Sequence, residues 1–485
     1  MRNLTMLTDL YQMTMMNGYI KAGMPDRIAV FDLFFRRNPG GAAFAVAAGL
    51  EQVIDYIKNL RFDEDDIEYL RSLNLFDEKF FDYLRTFRFT GEMYAVPEGT
   101  VVFPFEPIVR IKAPIFEAQL IETAMLNIIN HQTLIASKAA RVCQAAHTDL
   151  VMEFGLRRAQ GPDAGLYGAR AALIAGCGST SNVLAGKMFD VPIAGTHAHS
   201  WVMSFPDELT AFRAYADSYP DACLLLVDTY DTLNSGLPNA ITVFKELRAK
   251  GHEPRGIRLD SGDLAYLSRQ CRKMLDEAGF PNTIICASGD LDEDLIWDLK
   301  QQGARIDTWG VGTKMITSED CPALGGVYKM SAEIMSDGTM VPKIKISENP
   351  AKVTNPGIKK IQRVYNKDGM AMADIIMLDH ETIDESKPLT IFHPVDTWKR
   401  QTYTEYTLRD LLVPIFIDGE CVYQCPSLKE IRAYHQREIG SLWEQYTRRL
   451  NPHVYKVDLS YELYSLRHKL LNQARTDDGD LPRMQ

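Results

Sequence analysis

From residue 150 to residue 313 one pattern recurs six times: a short, almost wholly apolar run, a polar or glycine-rich turn, then, in most cases, a stretch of helical period. Leu150-Val-Met-Glu-Phe154 leads into Gly-Leu-Arg-Arg, Val191-Pro-Ile-Ala-Gly195 into Thr-His-Ala-His, and Cys223-Leu-Leu-Leu-Val227 into Asp-Thr-Tyr-Asp. Gly256-Ile-Arg-Leu259 leads into Asp-Ser-Gly-Asp, Thr283-Ile-Ile-Cys-Ala287 into Ser-Gly-Asp, and Ile306-Asp-Thr-Trp309 into Gly-Val-Gly-Thr. Helices are expected between them at 239–250, 264–278 and 293–302. Apolar strands alternating with helices imply a parallel sheet covered by helices. In a closed β/α barrel all strand exits converge on one face, whereas a doubly wound sheet uses only the exits near a switch in strand order. Six chemically loaded exits favour the barrel.

The flanking sequence reads differently. Thr8 is placed to cap a first helix, Ile28 to Phe35 alternates like a half-buried strand, 62–88 is charged and amphipathic, and 91–111 is rich in Val, Phe, Pro and Gly like short strands. These make an N-terminal α+β domain at 1–114. Residues 115–149 carry apolar positions at helical spacing and predict one long connecting helix. The barrel domain follows at 150–335. Residues 336–485 form a C-terminal β and helical segment packing with the N-terminal domain, with antiparallel strands in 343–365, helices at 427–450 and 460–475, and a frayed end from Thr476. The expected class is α/β: an irregular β/α barrel with an additional α+β domain built from N-terminal and C-terminal segments.

Composition narrows the function classes. Lys and Arg number 53 against 64 Asp and Glu, a net charge of −11, so neither nucleic acid nor an anionic membrane is an expected partner. A phosphate ligand needs a local basic pocket instead. The first residues lack an apolar leader, and no apolar run is long enough to span a bilayer, so a cytoplasmic location is expected. The eight cysteines are scattered, with Cys223 and Cys286 inside apolar runs, which argues against a disulfide framework. Cys421 and Cys425 are the one close pair, without the further ligands a structural zinc requires.

Five strand exits hold the chemistry. Asp260-Ser-Gly-Asp263 offers two carboxylates on a flexible turn, suited to ribose hydroxyls or hydrated Mg²⁺, or simply to capping the next helix. Arg258 stands two residues before Asp260 and points to the same side of its strand. Ser288-Gly289 and Gly310-Val-Gly312-Thr313 could let backbone N–H groups approach a phosphate, although glycines are also common in such turns for conformational reasons. Phe154, Arg157 and Arg158 combine a flat ring with two guanidinium forks, which suits a carboxylate or pyrophosphate beside a planar heterocycle. His197 and His199 alternate after Thr196 and before Ser200; a capping or core role competes with a phosphoryl acceptor. No Walker loop is present, so any use of ATP proceeds without one.

Thr8-Asp-Leu-Tyr-Gln12, Glu153-Phe-Gly-Leu-Arg-Arg-Ala-Gln-Gly161, Ser179-Thr-Ser-Asn182, Gly195-Thr-x-Ala-His199, Arg258-x-Asp-Ser-Gly-Asp263 and Gly310-x-Gly-Thr313 occur in this order. Together they closely resemble the nicotinate phosphoribosyltransferase family. The resemblance implies transfer of phosphoribose from phosphoribosyl pyrophosphate to nicotinate, coupled to ATP hydrolysis through a phosphohistidine at His199, in NAD biosynthesis. It implies catalytic roles for His199, Arg258, Asp260 and Asp263, with Mg²⁺ at Asp260 or Asp263. Substrate contacts are implied for Tyr11, Phe154, Arg157, Arg158, Ser181, Ser200, Ser288, Gly289, Gly310, Gly312 and Thr313. It also implies a homodimer with shared active sites, in which Tyr11 stacks on the pyridine ring opposite Phe154 of the other copy. Nicotinamide phosphoribosyltransferase is the nearest alternative, but it carries an aspartate in the turn where Ser181 stands here, and Ser181 does not repel an acid substrate. Quinolinate as substrate would call for more basic residues, and a non-catalytic nucleotide-binding barrel would lack the charged exits.

Overall fold

The computed structural model describes residues 3–349, 352–396 and 398–477. Two compact units emerge: residues up to Leu134 with those from Ala323 onward, and Ile135–Pro322.

The second unit contains a six-stranded sheet whose strands are all parallel. In chain order they are β1 (Leu150–Glu153), β2 (Ser179–Thr180), β3 (Leu224–Leu226), β4 (Gly256–Leu259), β5 (Ile284–Ser288) and β6 (Thr308–Val311). Their spatial order is β2-β1-β6-β5-β4-β3, so the first strand lies beside the last. The register aligns the carboxyl ends: Leu226 is level with Arg258, Leu259 with Ala287, Ser288 with Gly310, Val311 with Glu153, and Glu153 with Thr180. Every labelled strand therefore opens at the same end. Helices Pro162–Ile174, Leu237–Ala249, Leu264–Glu277 and Glu293–Gln301 bury their apolar faces, through residues such as Ala169, Phe244, Leu275 and Ile296.

Val191 to Gly195 does not form the expected strand. Only Thr180 and Ile193 make a parallel bridge, because Pro192 has no N–H to continue a ladder and Ile193 is exposed. On its other side this segment touches β3 through a side chain: Nε2 of His197 accepts the Leu226 N–H at 3.2 Å.

In the first unit, a seven-stranded antiparallel sheet runs in the order Met340–Pro342, Val327–Ile334, Ile28–Phe34, Val109–Pro114, Glu92–Ala95, Val413–Ile417, Glu420–Cys421. Strands from early and late in the chain thus share one ladder. Ile28–Phe34 is central and almost wholly buried, rather than half-buried as its alternation suggested. A second sheet packs Val364, Ala373, Ile375 and Ile391 into its own core. There the fully buried Arg363 bonds Asp374 and Glu438.

Several boundaries differ from expectation. The first helix is Leu10–Lys21 with Asp9 at its N-cap, while the Thr8 hydroxyl is buried without a hydrogen-bond partner among the described residues. The long helix is interrupted at Ile121, where ψ is −9°, giving Ile115–Leu120 and Glu122–Ala146; no proline or glycine marks that break. Among the described residues of 343–365 only Lys359–Tyr365 is a strand, since Pro356 and Gly357, with φ of 86°, interrupt the run before it. The C-terminal helices are Leu428–Gly440 and Tyr461–Asp477, so Thr476 is helical; 478–485, where fraying was expected, lie outside the described residues.

Candidate active site

Arg258 is the centre of the aligned exits. Its Nη2 donates to Oδ1 of Asp260 at 2.8 Å, Nε to the Ser288 hydroxyl at 2.7 Å, and Nη1 to the Thr196 hydroxyl at 2.9 Å. The guanidinium also lies 5.6 Å from the centre of the Phe154 ring. Ser288 donates its own hydroxyl hydrogen to Oδ1 of Asp260. One arginine thus joins groups from four exits, which its rigid fork allows and a lysine would not.

Asp260 is held on three sides. Burial alone would push its carboxyl up, but the Ser288 hydroxyl and the Arg258 guanidinium outweigh that and hold it below the ordinary aspartate value. Its backbone N–H donates to Oδ2 of Asp228 at 2.7 Å, and Ser261 donates to the same oxygen at 2.8 Å. Its second oxygen, Oδ2, lies 3.8 Å from Nε2 of His199. Asp263 behaves differently. Its Oδ1 accepts the Tyr266 N–H at 2.9 Å and caps the helix Leu264–Glu277, the plainer of its two readings.

The two histidines separate clearly. His197 is buried against Tyr215 and Phe212; desolvation pushes its imidazole down to about 4, so it is neutral and its Nε2 is free to accept the Leu226 N–H. His199 opens the short helix His199–Met203, has a side chain 40% exposed, and bonds the Thr229 hydroxyl through Nδ1 at 3.1 Å. That leaves Nε2 turned toward Asp260. Ser200, next in the same helix, is exposed.

The glycines have steric reasons. A Cβ on Gly310 would stand 2.6 Å from ring carbons of Phe154, and one on Gly289, whose φ is 97°, would run into the carbonyl oxygen of Asp260. Gly312 precedes the single turn Thr313–Ile316. These close approaches fix the Phe154 ring and the Asp260 backbone relative to the sheet. Arg157 and Arg158 lie exposed in the turn Leu156–Arg158, and Ser181 is half-buried with its N–H on the Glu153 carbonyl at 2.9 Å. Tyr11 belongs to the other unit, on Leu10–Lys21, with 47% of its surface exposed.

Asp228, Thr229 and Glu153 also belong to this site, although none of their own signals singled them out. Asp228 and Thr229 lie in a turn visibly polar in sequence, yet their partners are about thirty residues away in the chain.

The model of the nicotinate phosphoribosyltransferase (NAPRTase) family matches residues 150–369, its N-terminal domain model 6–130 and its C-terminal domain model 358–467. Nicotinate phosphoribosyltransferase of Bacillus subtilis (strain 168) is 50% identical over 475 residues, covering 98% of this chain and 96% of that protein. The chain belongs to the nicotinate phosphoribosyltransferase family. The human nicotinate phosphoribosyltransferase is 34% identical, with 96% of each chain covered. The crystal structure of human nicotinic acid phosphoribosyltransferase superposes with a TM-score of 0.84 at 32% identity, covering 96% of this chain and 100% of that one. Nicotinate-nucleotide pyrophosphorylase from Pyrococcus furiosus, at 22% identity and a TM-score of 0.68, shares the fold. This family member is therefore an enzyme. Among its described residues no helix is long and apolar enough to cross a membrane.

The residues at these exits fit a magnesium ion of the kind the family implies. Mg²⁺ keeps most of its waters and takes one or two carboxylates together with substrate phosphate oxygens. Oδ1 of Asp228 is buried without a hydrogen-bond partner among the described residues, and Oδ2 of Asp260 faces only the imidazole at 3.8 Å. Asp263 fits less well, one of its oxygens being used in the cap.

Proposed function

We propose that this chain joins nicotinate to phosphoribosyl pyrophosphate, giving nicotinate mononucleotide and pyrophosphate, and couples the reaction to ATP hydrolysis through phosphorylation of His199. The observation that carries the reading is the Arg258 fork, which holds Asp260, Ser288 and Thr196 together at aligned strand exits.

Breaking the bond from ribose C1 to pyrophosphate develops positive charge on the ribose and negative charge on the leaving group. Asp260 is fixed and anionic, and is suited to hold ribose hydroxyls and to stabilise the charge developing on the sugar. Mg²⁺, when bound by Asp260 and Asp228, supplies positive charge to the pyrophosphate. Arg157 and Arg158 are exposed guanidinium groups without a partner among the described residues, suited to the nicotinate carboxylate or a phosphate, and Phe154 offers one face for the pyridine ring. The ring nitrogen of nicotinate is itself the nucleophile, so no base is needed and catalysis is largely positioning. Nε2 of His199, on a side chain 40% exposed, is placed to accept a phosphoryl group while Thr229 holds Nδ1.

On this reading the parallel sheet closes into a barrel, with 191–197 as its irregular seventh stave between β2 and β3. The Ile193 bridge and the His197 bond to Leu226 support it. The working form is a cytoplasmic homodimer in which Tyr11 of one copy reaches the ring opposite Phe154 of the other; the exposure of Tyr11 on the first helix supports this.

The test is mononucleotide formation by purified protein with phosphoribosyl pyrophosphate and Mg²⁺, supplying nicotinate, nicotinamide or quinolinate, each with and without ATP. Nicotinate-selective product with matching ADP release is expected. A preference for nicotinamide would retain the phosphoribosyl site and overturn the assignment of Arg158 and Ser181.

A further inference from the structure

We propose that Glu153 is a positioning residue for the pyridine end of the site, locking the turn that carries Phe154, Arg157 and Arg158 to the turn that carries Ser181. The inference rests on the reading above, in which these two turns face nicotinate.

Glu153 ends β1 with no exposed surface. Its Oε1 accepts the backbone N–H of Gly155, inside the first turn, and its Oε2 accepts the Thr180 hydroxyl at 2.6 Å, at the base of the second. The lock continues from there. Thr180 Oγ1 accepts the Asn182 N–H at 3.0 Å, and the Glu153 carbonyl accepts the Ser181 N–H at 2.9 Å. Gly155 is gripped from both sides, since a Cβ there would meet Ile316 and Oε1 of Glu153. Both carboxylate oxygens are thus spent on the two exits that flank the proposed ring site.

A fully buried carboxylate is costly, and an apolar residue of similar volume would pack β1 as well. What such a residue would forfeit is the link between the turns, leaving the Gly155 N–H and the Thr180 hydroxyl without their partners. Burial pushes the Glu153 carboxyl up. The neutral acid would hold the same lock, donating to Thr180 and accepting from Gly155. Glutamine imitates that form, its amide donating to Thr180 and its oxygen accepting from Gly155. The link therefore depends on hydrogen-bond shape rather than on charge.

The experiment is steady-state kinetics of the full-length enzyme and its E153A, E153Q and T180V variants, varying nicotinate and phosphoribosyl pyrophosphate separately. A misplaced substrate clamp costs roughly 10–100-fold. E153A is expected to raise the nicotinate KM in that range while leaving the phosphoribosyl pyrophosphate KM within about twofold. T180V should shift in the same direction, and E153Q should restore a nicotinate KM near that of the parent. A purely structural role would instead lower kcat through a smaller active fraction and leave both KM values in place, which overturns the proposal. If E153A does not fold, T180V decides: an unmoved nicotinate KM overturns it. A parent enzyme inactive on nicotinate would overturn the functional reading itself, whereas an active parent with unmoved variants overturns this inference alone.

Discussion

Ser288 and Asp260, at the ends of neighbouring strands and 28 residues apart in sequence, share a hydrogen bond at the point where Arg258 contacts both side chains. The carboxylate is thereby kept ionised and aimed before any substrate arrives. Preorganisation of this kind lets a fixed charge act on the transition state without first reorganising.

Removing Arg258 should expose that dependence. R258A takes the cation from Asp260, the donor from Ser288 and the link to Thr196 together, so kcat/KM is expected to fall at least about 10²–10³-fold, the loss typical of one electrostatic stabiliser. R258K should recover little, because one ammonium cannot span three acceptors. Initial rates with saturating nicotinate and varied phosphoribosyl pyrophosphate measure both.

The histidine pair predicts opposite phenotypes. His197 has its folded-state value lowered to about 4, from an ordinary 6.5. Between those values the unfolded chain binds a proton that the folded one does not, so stability rises with pH through this window and is lost as pH falls from about 6.5 to about 4. The effect reaches up to about 3 kcal/mol. H197F should flatten that slope in urea titrations at successive pH values, and should cost about 1–3 kcal/mol at neutral pH by leaving the Leu226 N–H unpaired. H199A, at a half-exposed position, should change stability by less than about 1 kcal/mol. It should abolish ATP stimulation while leaving slow ATP-independent transfer.

Glycines at the exits can be ranked. G289A combines a left-handed backbone angle with a collision against backbone, which cannot move aside, and is expected to cost about 3 kcal/mol. G310A meets a side-chain ring that can tilt, so about 1–2 kcal/mol is expected, with a loss of kcat/KM as Phe154 moves. Nothing lies within 4 Å of a Cβ at Gly195, so G195A should leave the melting temperature nearly unchanged. Thermal unfolding of the three variants tests the order.

The parts of this site legible in sequence are those encoded by short-range geometry. Arg258 and Asp260 stand two apart on a strand, and that spacing alone put their side chains on one side. The loaded exits likewise announced a common face, which the register from Leu226 across to Glu153 provides for five of the six. What sequence did not disclose depends on contacts across the sheet. Glu153 read as the end of an apolar strand, and only its pairing with Thr180 reveals a buried lock. Asp263 looked equal to Asp260, but its place at a helix start commits it to a cap. Val191 to Gly195 had the apolar content of a strand, yet a single proline reduced it to one bridge.

Substrate choice offers the sharpest test of the pyridine end. Ser181 is uncharged, half-buried, and bonded through its N–H to Glu153. An S181D substitution would bring a carboxylate toward the acid group of nicotinate, and like charges in a partly desolvated site repel strongly. The nicotinate KM should rise at least about tenfold, equivalent to about 1.4 kcal/mol. Nicotinamide carries no charge and can donate its amide N–H to the new carboxylate, so its kcat/KM should increase. Competition between the two substrates in one reaction, read as the ratio of the two mononucleotides, measures the switch directly. An unchanged ratio would place Ser181 away from the substituent of the ring and leave discrimination to Arg157 and Arg158.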